Sequence, residues 1–329
     1  MPFINTLNPN AGGIQLAPAM TLTSKTYDTL VLGFTPKAGS TYMVWSNADR
    51  YARLNFGAVS SGVISFTSLP EDFPISVTLV ETTGGVDTYR NIVVSTDKVA
   101  DCKTNLESSP WAPTWTLNGN GRVTQWTDTS GNGNHFVNAD ADASRPRIVN
   151  DAVLFDTTSP GTNFLICANT MSFVEPTLVV AMTPLPYFLD NNDNSAHGYN
   201  IVDTNRVGAA IGEVTYYTNN NNISSYSGTS ANNTVANGLI YPKFSTLVTS
   251  FGTTAWSLNN GFPYFDGFNT GSANVPNGGK FTLGGLADGS ITTGYQGFIH
   301  SFKIYNRKLT MNEIKAVEKS LHLKYNKEI

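Results

Sequence analysis

Leu30, Leu32 and Phe34 alternate with Val31 and Gly33. The same period of two recurs at Tyr42 and Val44 beside Met43 and Trp45, at Ile64 and Phe66, at Ile75, Val77 and Leu79, and at Ile92 and Val94. Successive residues of a strand face opposite ways, so short runs of this kind predict half-buried β-strands. The runs are separated by turn chemistry: Pro36-Lys37-Ala38-Gly39, Ser60-Ser61-Gly62, Pro70 and Gly84-Gly85. Strands at intervals of ~8–12 residues predict a small β-sandwich over residues 21–98. Residues 1–20 carry Pro2, Pro9, Gly12, Gly13 and Pro18 and little periodicity. They read as an extended arm, lying on its own domain or on a neighbouring subunit.

From residue 99 the pattern changes. Pro110 and Pro113 stand beside Trp111 and Trp115, which marks 99–115 as a linker. Residues 116–329 hold many short apolar runs, such as Leu178-Val179-Val180, Thr246-Leu247-Val248 and Phe281-Thr282-Leu283. Asn259-Asn260-Gly261 is a hairpin signal. A long series of strands without helices predicts a large sandwich or jelly roll. The period then switches to helical over 310–325. Thr310 and Glu313 have capping-box spacing, Leu309 and Ile314 that of a hydrophobic staple, and Ile314, Val317 and Leu321 share one face.

Composition narrows the function classes. The 329 residues carry 24 acids and 20 bases, a net charge of −4, and only 13% charged residues. Without a Lys/Arg cluster to neutralise phosphates, no nucleic-acid partner is expected. The surface must be built from uncharged polar residues, of which 35 are Asn, and 11% aromatic residues argue against disorder. No apolar run approaches the ~20 residues of a membrane span, so no membrane insertion is expected. The start, MPFINTLNPNAGG, lacks a basic segment followed by an apolar one. That predicts a chain made in the cytoplasm, with Cys102 and Cys167 as free thiols.

Three segments carry a resemblance. The first is Gln125-Trp126-Thr127-Asp128-Thr129-Ser130-Gly131-Asn132-Gly133-Asn134, followed by Arg145-Pro146 and Val153-Leu154-Phe155-Asp156. The second is Trp256-Ser257-Leu258-Asn259-Asn260-Gly261 with Leu283-Gly284-Gly285. The third is Gly297-Phe298-Ile299-His300-Ser301-Phe302-Lys303-Ile304-Tyr305-Asn306-Arg307-Lys308-Leu309 and the helix ending at Tyr325. In this order they resemble the concanavalin A-like lectin/glucanase superfamily, in its laminin G-like (LamG) jelly-roll form from phages and bacteria, over about 105–329. Many members have Glu where Ser301 stands. Residues 21–98 resemble an immunoglobulin-like or fibronectin type III sandwich, without the Cys…Trp…Cys pattern of true immunoglobulin domains. The expected fold is therefore all-β: an immunoglobulin-like sandwich followed by a concanavalin A-like jelly roll with one C-terminal helix.

The resemblance implies binding of glycans or proteins, or hydrolysis of β-glucans. Retaining glucanases need two carboxyl groups ~5–5.5 Å apart. On one strand this means Glu-x-Asp-x-x-Glu, which is absent; Glu175 and Glu213 are the only glutamates between 108 and 308. There is no Gly-x-Ser-x-Gly elbow, no phosphate loop, and no metal spacing among His135, His197, His300 and His322. His300 shares the period of Phe298, Phe302 and Ile304 and reads as a hydrogen-bonded core residue. No enzyme is expected.

Sugar binding needs aromatic rings beside Asn or Asp. Trp126 and Trp256 fall on strands and read as core. The better candidates are Tyr216, Tyr217 and Tyr226 around Asn220, and Tyr264 with Asp266. No cofactor is expected; if an ion binds, it is calcium, at Asp190, Asn192 and Asp193, which imitate an EF-hand start but lack its Gly and final acid. The oxygens of Asn138, Asp140 and Asp142 form a second such stretch. The sequons at Asn222 and Asn232 are idle without secretion.

These readings together predict a non-enzymatic virion surface protein of a phage: a head decoration, collar or tail accessory protein. It would be made in the host cytoplasm, assembled with other virion proteins as a homo-oligomer, and display a lectin-like domain to host surface glycans. The alternatives are a bacterial carbohydrate-binding or adhesion module, and a glycan hydrolase or lyase.

Overall fold

The computed structural model describes residues 16–49, 52–108, 114–138, 145–156, 163–185, 198–204, 212–217, 222–227, 230–235, 244–259, 267–273, 277–285 and 295–325. Among the described residues the fold is all-β apart from one C-terminal helix, Met311–Tyr325. It divides into two compact units: residues 1–99 with 315–323, and residues 100–314 with 324–329.

The first unit is an immunoglobulin-like sandwich of seven antiparallel strands. Thr21–Lys25, Leu30–Gly33 and Val63–Phe66 form one sheet, in that order. The other runs Ala52–Val59, Thr41–Asp49, Pro74–Thr83, Val86–Ser95. The alternation in sequence becomes the core: Leu30, Leu32, Tyr42, Val44, Ile64, Phe66, Ile75, Val77, Leu79 and Val94 are buried together. Gly84 and Gly85 close the hairpin between Thr83 and Val86 with φ of 58° and 80°, the paired left-handed geometry that glycine adopts without a Cβ clash. Ahead of the first strand Ala17 and Met20 are buried, and Ala17 O accepts from Arg90 Nε at 3.1 Å. Residues 1–15 of the expected arm lie outside the described residues. The helical segment of this unit meets it through Glu71 N, which donates to Ala316 O (3.2 Å), and Lys319 Nζ, which donates to Ser68 O (2.8 Å).

The second unit is a jelly-roll sandwich. Its nine-stranded sheet runs Ser230–Val235, Asn222–Ser227, Gly212–Tyr217, Gly198–Thr204, Phe281–Leu283, Leu165–Cys167, Phe136–Val137, Val123–Trp126, Trp115–Leu117. The facing sheet runs Arg147–Val149, Ala152–Phe155, Gly297–Tyr305, Thr177–Pro184, Ser245–Ser250, Gly252–Asn259, Gly267–Ala273. Trp126, Phe136, Phe155, Phe281 and Phe302 are among the fully buried side chains of its core. Gly284, at φ 84°, admits the Phe155 ring where a Cβ would stand.

Two expectations need correction. Cys102–Glu107, read as linker, is an eighth strand of this facing sheet, with Phe302 opposite Leu106 and Ile304 opposite Thr104. The prolines that suggested a linker begin only after it. His300 does not keep the phase of Phe302 and Ile304. The register against Thr177–Pro184 shifts there, with Ala181 opposite Ser301 and Met182 opposite Ile299. The extra residue is a β-bulge, which reverses the alternation and puts Ile299, not His300, in the core with Phe302 and Ile304.

The helix begins as its sequence predicts. Thr310 N donates to Glu313 Oε2 (2.8 Å) and Glu313 N to Thr310 Oγ1 (3.4 Å), a reciprocal cap. Arg307 grips the same carboxylate through both terminal nitrogens, at 2.9 and 2.6 Å. Leu309, Ile314, Val317 and Leu321 are buried.

Candidate functional site

One row of the nine-stranded sheet gathers chemistry that the sequence holds apart. Thr282 alternates with the core residues Phe281 and Leu283, so its row lies on the opposite face, where Thr282 itself is buried and donates to Gly285 O at 2.9 Å. Thr282 is opposite Asp203, Asp203 opposite Glu213, and Glu213 opposite Tyr226. A second row, Asn200–Thr215–Ser224, and a third, Tyr217–Asn222, follow on the same face. Directly opposed residues of an antiparallel pair have Cβ atoms ~4.5–5.5 Å apart. Glu213, single along its strand, therefore has a second acid at the adjoining register position.

The predicted aromatic residues divide between the two faces. Tyr217 and Tyr226 share the face of Asp203 and Glu213. Tyr216 is in register with Tyr199 and Ile223, on the opposite face. Asn220, Tyr264 and Asp266 lie outside the described residues, as do Asp190, Asn192 and Asp193, and Asp140 and Asp142. Among the described residues no group of three His, Cys, Asp or Glu could hold a metal ion. Asp203 and Asn200 were missed in the sequence because a search along one strand cannot find a pair made across two. The signal that could have found them is the short Gly198–Thr204 to Gly212–Tyr217 hairpin, whose pairing fixes which residues oppose.

The motif that carries the resemblance does a structural job. Asp128 is buried, and its carboxylate accepts from Asn105 N (2.9 Å), Ser130 N (2.9 Å), Ser130 Oγ (2.8 Å) and Asn134 N (2.9 Å). Asn134 Nδ2 and Asn132 Nδ2 reach Lys103 O and Cys102 O. The loop after Trp126 is thus pinned to the strand Cys102–Glu107. Trp126 is fully buried, and its Nε1 donates to Thr114 Oγ1 at 3.0 Å.

A second polar cluster lies on the facing sheet. Glu107 meets Lys303 at 3.2 Å and Lys324 at 3.1 Å. Burial opposes its charge, but the two ammonium groups outweigh burial and bring its pKa down to about 2. His300 shares a hydrogen bond of 3.0 Å with Thr183 Oγ1 and packs among the rings of Phe244, Phe298 and Tyr325. Burial lowers its pKa to about 4, so it is neutral near pH 7. Every group of this cluster is engaged in packing or pairing, which makes it a brace under the helix end rather than a ligand site. Cys102 and Cys167 form no disulfide, and burial pushes the Cys167 thiol up to about 11, away from nucleophilic chemistry. Among the described residues no helix is long and apolar enough to cross a membrane.

No protein-family model matches the chain, and no curated protein matches it. Solved structures are similar to it at low identity. A Trypanosoma rangeli sialidase in complex with sialic acid matches with a TM-score of 0.47 and 14% identity, over 95% of this chain and 54% of that one. An arabinofuranosidase complexed with arabinofuranosyl-alpha-1,2-xylobiose matches at 0.44 and 14%, over 61% and 50%. The binding domain of botulinum neurotoxin DC, in complex with rat synaptotagmin II, matches at 0.45 and 12%, over 67% and 52%. The chain spans about half the length of these proteins. The all-β sandwich rests on the strand pairings given above, not on these likenesses.

Proposed function

We propose that this chain is a non-enzymatic surface protein of a phage particle, whose LamG-like jelly roll contacts glycans of the host surface. The observation that carries the glycan reading is the row Asp203–Glu213–Tyr226, with Tyr217 and Asn222 two rows on. It puts carboxylate, amide and aromatic residue types on one sheet face, the set that hydrogen-bonds sugar hydroxyls and stacks on sugar C–H faces. The virion reading is supported by a chain poor in charge and rich in Asn and Gly, and by two β-units in series. In this reading the first unit attaches to other virion proteins and the second is displayed. Copies arrayed on a particle would raise a weak affinity by ~10²–10⁴ through avidity, so no tight single site is required. A bacterial adhesion module would use the same face in the same way.

The test has two arms. Mass spectrometry of purified phage particles should find the chain in many copies. The isolated protein should be retained by host-cell polysaccharide, and Tyr226→Ala should weaken retention about tenfold, the size of one lost stacking contact. Retention that Tyr226→Ala leaves unchanged overturns the glycan site.

A second reading has its own observation. Asp203 and Glu213 occupy opposed positions, and the spacing of such positions spans the ~5–5.5 Å that retaining glycosidases keep between two carboxyl groups. Incubation with β-glucans and bacterial polysaccharides should yield no new reducing ends. Turnover that disappears in Glu213→Gln would replace the binder by a hydrolase.

A further inference from the structure

The outer face of the four-stranded sheet in the first unit is built unlike a solvated surface. Tyr42, Val44, Ile75, Val77, Leu79 and Val94 point into the core, so Met43, Trp45, Ser76, Thr78, Val80, Tyr89, Asn91 and Val93 occupy the other face. A one-sided antiparallel sheet normally turns polar and charged side chains outward. Here Tyr89 is 49% exposed, Val93 62% and Met43 38%, and Trp45 is half-buried.

Register fixes the layout. Met43, Val80 and Tyr89 form one row, and Trp45, Thr78 and Asn91 the next. Trp45 and Tyr89 are two strands and one pleat repeat apart, roughly 12 Å from the standard spacings. That is too far for one monosaccharide to cover and within reach of an oligosaccharide. Beside Tyr89, two residues along the same strand, is a held amide. Asn91 Oδ1 accepts from Ser76 Oγ at 3.0 Å and from Thr78 Oγ1 at 3.4 Å, which leaves the exposed Nδ2 as a fixed double donor. Neither of these two rows carries a charged residue among the described ones. The charged Asp87 sits at the hairpin end of the face, held by Thr82 Oγ1 at 2.6 Å.

We infer that this face is a second glycan-binding site, on the first unit, for a neutral polysaccharide chain. Trp45 and Tyr89 would lie against sugar faces, Met43 and Val93 would cover the C–H surface beside them, and Asn91 would donate to a ring hydroxyl. The lack of charge in the two rows that hold the rings favours a neutral polymer over phosphate-rich or acidic ones, with Arg53 entering only at the next row, opposite Asn47. A second copy of the chain fits less well. Ser76 and Thr78 already pair with Asn91 Oδ1, but the Asn91 Nδ2 donors would be desolvated in such an interface, where burying an unpaired polar group is costly, whereas a sugar hydroxyl would accept from them. This inference is independent of the jelly-roll row.

The experiment is native affinity electrophoresis of the full chain in gels containing xylan, mannan, mixed-linkage β-glucan or, as an anionic control, alginate. Expected is retardation by at least one neutral polymer and none by alginate. Tyr89→Ala and Asn91→Ala, both at exposed positions, should each weaken the apparent affinity about tenfold with unchanged urea unfolding. Tyr226→Ala, run beside them, separates the two sites. Retardation abolished by Tyr226→Ala and indifferent to Tyr89→Ala overturns this inference and leaves the jelly-roll reading standing; the reverse result overturns the latter. No retardation by any neutral polymer overturns the inference, as does a Tyr89→Ala variant that binds normally but sediments as a smaller species, which would make the face a self-association surface.

Discussion

The eight-stranded sheet of the second unit and the four-stranded sheet of the first dispose of their outer faces in opposite ways. In the former, Ser245–Ser250 is buried at every position and Thr177–Pro184 at nearly every one. Its outer face therefore holds polar groups out of water, and the charged ones are paired: Lys303, 5% exposed, on Glu107, and Glu107 again on Lys324. In the latter, one face is core and the other, on which Val80 is buried, leaves Tyr89 and Val93 exposed. Buried polar residues with partners point to architecture. Apolar residues left in water point to a ligand.

The largest effect expected from this contrast is at Glu107. Glu107→Leu leaves two lysines facing each other across a site from which water is mostly excluded, and breaking a buried pair from one side costs ~3–5 kcal/mol. Urea unfolding followed by the tryptophans of the second unit should report it. A loss under about 1 kcal/mol would mean that the lysines escape to solvent and that the cluster braces nothing.

Acid tests the same face through His300. Its pKa is about 4 in the folded chain against 6.5 in the ordinary state. The unfolded chain therefore takes up its proton first as the pH falls. Stability is full above about pH 6.5, declines between 6.5 and 4, and is level below, for a total of about 3 kcal/mol. Glu107, with its pKa at about 2, loses its contribution only in the window below its ordinary value of 4.5, so the two groups separate on the pH axis. His300→Phe should flatten the upper window and leave the lower one. An unchanged slope between pH 4 and 6.5 in that variant would assign the decline to other groups.

Glu81 makes the counterpart in the first unit. Its side chain is 3% exposed and accepts from Ser40 Oγ (2.9 Å), Lys37 Nζ (3.1 Å) and Tyr42 OH (3.2 Å). Burial works against its charge, but these donors outweigh burial and lower its pKa. The difference from Glu107 is in the partner: Lys37 is 51% exposed and returns to water when the carboxylate is removed. Glu81→Gln should thus cost only ~1–2 kcal/mol, the range of lost hydrogen bonds rather than of a stranded buried charge. A loss equal to that of Glu107→Leu would erase the distinction drawn between the two units.

The same contrast explains what could be read from the sequence. In the first unit one face is wet, so period two is clean, and Leu30 through Val94 were legible as core. In the second unit strands buried on both faces lose that period, and nothing in the sequence marks Glu107 and Lys303 as a buried pair. The helix was legible from Thr310 and Glu313 because capping is local. The bulge at His300 was not, since an inserted residue is visible only against its partner strand. Nor was the Asp203–Glu213 row, which exists only once two strands pair. Trp126 was legible as core, whereas the job of Asp128 depended on where Asn105 would come to lie.

The smallest effect sharpens the comparison at two adjacent residues. Val93 and Val94 are chemically identical and one residue apart, on opposite faces of the strand Val86–Ser95. Val94 is 9% exposed and packs with Leu30, Ile75 and Val77, while Val93 is 62% exposed. Val94→Ala removes carbon atoms from a packed core and should cost roughly 1.5–2.5 kcal/mol, from ~0.8 kcal/mol per buried methylene plus the cavity left behind. Val93→Ala should change stability by no more than about 0.5 kcal/mol. If Val93 serves the platform beside Asn91, its loss should appear only as weaker retardation in the neutral-polymer gel. Equal destabilisation by both variants, measured by urea unfolding of the full chain, would mean that the outer face is already covered in solution. The exposed valine would then be packed against something as close as the core.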